Sequence, residues 1–113
     1  MGKVLQIRVS ASTYDESQVG KRWPRLTAHA WGVDADAPGH GVLALIETIE
    51  DKARLGLLDF KPGPDFERAL AAVTALRDRM EAALADWRAG EANRLSDELE
   101  DALGDLEKAA EKV

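Results

Sequence analysis

Cysteine is absent from the 113 residues, which excludes disulfides, thiol catalysis and sulfur-ligated zinc or iron–sulfur centres. No apolar run approaches the length needed to cross a membrane. The first residues also lack the basic segment, apolar run and cleavage pattern of an export signal, so a soluble cytoplasmic protein is expected. Phosphate-binding signatures are missing too. Gly39-His40-Gly41 has neither the spacing nor the strand–turn–helix setting of a dinucleotide loop, and no Gly-Lys-Ser/Thr element is present. There is no Glu-x-x-His or His-Glu-x-x-His arrangement for a metal. Ser10, Ser12, Ser17 and Ser96 lie in no nucleophile elbow. The sequence implies no cofactor and singles out no catalytic or metal-ligating residue.

What is present begins with charge. The net charge of −6 is spread unevenly. Residues 1–33 carry five Lys/Arg against two Asp/Glu, whereas residues 91–113 carry three against eight. The acidic end repels phosphate and disfavours nucleic-acid binding. The basic beginning can pack beside its own acidic C-terminal helix or neutralise an acidic surface on another subunit.

Helical periodicity dominates the second half. Phe66, Leu70, Val73, Leu76, Met80, Leu84 and Trp87 recur at three- and four-residue spacings, the pattern of one helix face turned inward. Gly63-Pro64 is a suitable start, since proline at the first helical position gives up an amide that has no intrahelical acceptor. Asp65 and Glu67 then meet the exposed amides of the first turn. Leu95, Leu99, Leu106, Ala110 and Val113 resume a stripe beyond Gly90. Residues 64–112 therefore read as a long antiparallel helical hairpin turning near Ala89 to Asn93, with Ser96 or Asp97 as cap of the second helix. Arg77 interrupts a heptad seam, so packing within a small bundle is preferred to a long coiled coil.

Upstream, Leu5, Ile7 and Val9 alternate with Gln6, Arg8 and Ser10, as in a short half-buried strand. One strand leaves backbone groups unpaired, and no second stretch reads clearly as its partner. It either pairs with a hidden strand, pairs across a dimer or lies extended on the helices. Thr13 and Glu16 form a capping box for a short helix at 14–22, and a second helix starts near Pro24. Residues 32–41 read as a loop. Val42, Leu45, Ile46, Ile49, Ala53 and Leu57 mark another amphipathic helix, ending near Leu55-Gly56. Leu57, Leu58 and Phe60 continue as an apolar connector over a core edge. The whole is expected to be one mainly α domain, residues 1–113. It is a small helical bundle comprising a strand-like arm (1–12), short helices with one amphipathic helix (13–60) and the hairpin (64–112).

Candidate functional residues fall into three sets. Leu5, Ile7, Val9, Leu95, Leu99, Leu106 and Val113 are apolar positions that a protein partner, above all a second copy, can cover. Trp23, Arg25, His29 and His40 are candidates for a ligand pocket, although core packing is the commoner use of such tryptophans. Glu47, Glu50 and Asp51 share a helix at spacings that suit a divalent cation or paired acid–base work, with His29 and His40 as recruits. The preferred expectation is a homodimeric interaction or accessory protein. The alternative is a small-ligand or divalent-metal-binding protein, with enzymatic use of that region left open. Nucleic-acid regulation through Arg22 and Arg25 is a third, weaker reading.

Overall fold

Proline and glycine mark several helix boundaries here, and their placement explains much of the architecture. The computed structural model describes residues 5–7, 11–13, 17–32 and 41–110. These are mainly helical: α1 (Ser17–Arg22), α2 (Pro24–Trp31), α3 (Val42–Leu55), α4 (Pro64–Ala85) and α5 (Ala89–Ala109). Before them, the backbone of β1 (Leu5–Ile7) pairs antiparallel with β2 (Ala11–Thr13), Leu5 lying opposite Thr13 and Ile7 opposite Ala11. β1 runs beside α5 and β2 beside α3. Val9, Glu16, His40 and Val113 lie outside the described residues. No helix among the described residues is long and apolar enough to cross a membrane.

The helix starts follow local chemistry. Pro64 occupies the first position of α4, with Asp65 and Glu67 in the first turn beside its free amides. Pro24 does the same for α2, but Trp23 offers no side-chain cap there. Gly56 closes α3 in the left-handed region at φ 71°, after the basic residues Lys52 and Arg54.

One apolar core joins the five helices. It takes Leu95, Leu99, Leu103 and Leu106 from α5, Phe66, Val73, Met80 and Ala83 from α4, and Leu45, Ile46 and Ile49 from α3. Val19 of α1, Trp23 and Leu26 also belong to it. Each fully buried leucine of this kind contributes about 1.5–3 kcal/mol of transfer free energy. The dominant packing is α4 against α5.

Two local expectations are corrected. The hairpin turns at Asp86, Trp87 and Arg88, and α5 runs straight through Gly90 and Asn93. Ser96 is not a cap but lies buried in mid-helix, its hydroxyl donating to the Asn93 carbonyl at 2.7 Å. Such a bond one turn back satisfies a buried hydroxyl within a helix. Arg77, which broke the heptad, has a partner instead of a seam position. Its guanidinium donates to both Glu50 carboxylate oxygens, at 3.1 and 3.4 Å, and thereby ties α4 to α3.

Candidate functional site

The basic N-terminal residues meet the acidic α5 of their own chain. Arg22 donates to Glu100 at 2.8 Å, where the carboxylate side chain is only 3% exposed. Glu107 of α5 accepts the backbone N–H groups of Arg25 and Leu26, each at 3.0 Å. These are free amides of the first turn of α2, so a carboxylate from another helix does the capping that Trp23 does not. Arg25 in turn donates to the Ala110 carbonyl at 3.1 Å, just past the end of α5. Trp23 is buried in the core with the Arg22 guanidinium 5.0 Å from its ring centroid. The charges that suggested a phosphate or nucleic-acid surface are thus engaged in joining α1 and α2 to α5.

His29 is buried on α2, against the connector between α3 and α4. Its ring lies 4.7 Å from Phe60, which meets Phe66 edge-on at 5.1 Å. Its Nδ1 is 3.9 Å from an Asp59 carboxylate oxygen, and its backbone carbonyl accepts from Lys52 at 3.0 Å. Aromatic contacts of this geometry hold the connector down. The connector covers the core edge at Leu58 and Phe60, as the sequence indicates, but Leu57 points outward.

Glu47, Glu50 and Asp51 do come together. With Leu43, Arg77 and Glu81 they line an open cleft of about 300 Å³ between α3 and α4. His29 does not line it. Partial burial lowers the Arg77 pKa, but its bonds to Glu50 and Asp78 outweigh this and raise it above the ordinary guanidinium value. Arg77 thus already engages Glu50, one of the carboxylates of this cleft. Among the described residues, no group of three or more histidines or carboxylates is arranged to hold a metal ion.

The apolar positions expected to meet a partner divide sharply. Leu95, Leu99 and Leu106 are buried in the chain's own core. Their surface is used by α4 and the shorter helices. Leu5 and Ile7 lie on β1, whose backbone is paired with β2. Among the residues whose burial is described, the exposed large apolar ones are Leu55 at 63%, Leu57 at 60% and Trp87 at 77%.

Trp87 is unusual in its backbone as well as its exposure. At the end of α4, Arg88 N–H reaches back to the Ala83 carbonyl at 2.8 Å and Trp87 N–H to Leu84 at 3.0 Å. These are the two bonds of a Schellman motif, which needs a left-handed residue between the helix and the departing chain. The same pair closes α3, from Leu57 to Lys52 at 2.8 Å and from Gly56 to Ala53 at 3.4 Å. In α3 the left-handed residue is Gly56; in α4 it is Trp87, at φ 60° and the one described non-glycine residue with positive φ. A bulky side chain in this region costs about 1–3 kcal/mol. Burial does not repay it, because the indole faces solvent.

At the far end of α4, the connector leaves an apolar groove. Ala53, Gly56, Leu58, Phe60, Lys61 and Pro62 surround about 350 Å³. Leu55 and Leu57 are exposed on the segment that forms it.

Comparison with protein-family models, with curated proteins and with solved structures finds no match to this chain. Function must come from the geometry alone. The sequence reading put Trp87 on the inner face by its spacing from Met80 and Leu84. That spacing holds only while the helix continues, and α4 ends at Ala85. The signal for exposure was the preceding Asp86 and following Arg88, which leave no apolar neighbour beside the indole.

Proposed function

We propose that this chain is a small protein-interaction or accessory protein that acts as a homodimer, and that its contact surface is built from the exposed apolar residues Leu55, Leu57 and Trp87. The observation that carries this reading is Trp87: a tryptophan 77% exposed on a helix hairpin, in a backbone conformation that favours glycine. Tryptophan is, with tyrosine and arginine, enriched among the residues that dominate binding energy at interfaces. The α5 leucines expected for this role are spent on the core, and the exposed residues take their place.

The ligand- or metal-binding alternative has less to stand on. Its carboxylates share a cleft, but Arg77 occupies Glu50, and His29 packs against Phe60 away from it. Sedimentation velocity across a concentration series tests the leading reading. A defined dimer that grows with concentration is expected; one monomeric species throughout contradicts it.

A further inference from the structure

We infer that two copies of this chain exchange α5: the hairpin opens at residues 86–88, and the α5 of each copy packs into the core of the other. This rests on the homodimer reading for its stoichiometry and differs from it in what the copies share, a whole helix in place of an exposed patch.

Strain at the turn is the first reason. Only Asp86, Trp87 and Arg88 separate α4 from α5, and Trp87 holds the left-handed position between them at φ 60°. A short hinge under strain is the setting in which a chain exchanges an element with its copy. The strain lies in the backbone, so no rearrangement of the indole within the closed turn relieves it. Opening the hairpin does.

The second reason is that the hinge sequence suits the open form. Positions 86–88 hold neither proline nor glycine, and Ala82, Ala83, Ala85, Ala89 and Ala92 around them have the highest helix propensity. Arg88 pairs with Glu91 one helical turn on, a contact that fits a continuous helix as well as the closed turn. In such a helix the two Schellman bonds are exchanged for ordinary ones: Trp87 N–H reaches Ala83 instead of Leu84, and Arg88 N–H reaches Leu84 instead of Ala83. No backbone bond of the turn is lost.

The third reason is what α5 touches. The elements packed against it, α4, α2 and β1, all precede the turn. Arg22 bonds Glu100 at 2.8 Å, and the first-turn amides of α2 bond Glu107, each at 3.0 Å. A second copy presents the same surface. Exchange therefore buries Leu95, Leu99, Leu103 and Leu106 again and re-forms these polar contacts between chains. The basic residues of α1 and α2 then meet the partner's acidic helix with the pairing they make within their own chain. Reciprocal exchange of one helix closes a two-fold dimer.

The test refolds the full-length chain from denaturant over a concentration series, because α5 must leave a buried core before it can cross over. The chain has no cysteine, so Arg68→Cys with Asp105→Cys gives two spin-label sites and no others. Both positions are exposed, and they stand almost equally far from Trp87 along the chain. In the closed hairpin the labels lie side by side, under about 30 Å apart; along an opened α4–α5 helix they lie about 55 Å apart. Doubly labelled chain is diluted into excess unlabelled chain, so that the distance read is within one chain. The dimer fraction is expected to give the long distance and the monomer the short one. Trp87→Gly relieves the closed turn by about fivefold at each of two hinges and should weaken the dimer about thirtyfold. Trp87→Ala removes the indole but keeps an L side chain in the left-handed position, and should stay within about threefold of the wild type. A dimer that gives only the short distance overturns the exchange and leaves a surface-mediated homodimer standing. Equal weakening by Trp87→Gly and Trp87→Ala also overturns it, since the indole and not the strain would then hold the copies together. A chain that is monomeric at every refolding concentration overturns both readings.

Discussion

The seam of the α4–α5 hairpin and its tip use large apolar side chains in opposite ways. Along the seam, Val73, Met80, Leu95, Leu99, Leu103 and Leu106 are buried, and each stabilises the fold by leaving water. At the tip, Trp87 is larger than any of them, stays in water and sits in a strained backbone. The same residue class is thus stabilising in one place and destabilising a few ångströms beyond the helix end. What differs is the backbone: helical periodicity governs the seam, and a turn that reverses the chain governs the tip.

Substitutions can break or sharpen this contrast. The largest effect belongs to the seam. Leu99→Ala is expected to lose about 3 kcal/mol in a denaturant titration of the monomer, because it empties a core site. A loss under 1 kcal/mol would mean that Leu99 is not packed within the chain. Next comes the carboxylate that holds α2 to α5: Glu107→Ala should lose about 2 kcal/mol by freeing two first-turn amides. Here Glu107→Gln should recover part of the loss, since its amide oxygen can still accept. Gly56→Trp copies the tip onto the end of α3, where φ is 71°. It should cost about 1–2 kcal/mol in thermal melts, and an unchanged melt would remove strain from the account. Smallest and opposite in sign, Trp87→Gly should gain about 1 kcal/mol, raising Tm by about 4 °C.

Much of the fold was legible because local signals carried it. Gly56 ends α3, Pro64 starts α4 and Pro24 starts α2, each where its backbone chemistry requires. The stripe of Leu95, Leu99 and Leu106 was also plain in the spacing. Spacing says that a helix face is buried, not what buries it, so the same stripe could be assigned to a partner. The turn was misplaced for a physical reason. Gly90 drew attention downstream, although a glycine in the first turn of a helix is tolerable, while the actual turn uses Trp87, a residue with no affinity for left-handed backbone. Long-range pairings were beyond reach. Arg77 looked like a flaw in a heptad until Glu50 on α3 stood opposite it. Nothing local to Glu107 marks it out, yet it caps a helix 82 positions away along the chain.

For the candidate site, composition points first to ionisable groups. Two histidines and a run of carboxylates draw chemical interest; of these, His29 packs against Phe60, apart from the cleft that holds Glu47, Glu50 and Asp51, and Glu50 is paired with Arg77. Leu57 and Trp87 each continue an apolar spacing in the sequence, and the ends of α3 and α4 place both beyond the helices in exposed positions.

Trp87, exposed and in left-handed backbone, costs its own chain stability. The most direct test is the thermal melt of Trp87→Gly beside the wild type, at a concentration where both are monomeric. The glycine variant is expected to melt about 4 °C higher. A variant that melts lower would show that the indole supports the fold where it stands, and the case for an intermolecular role would go with it.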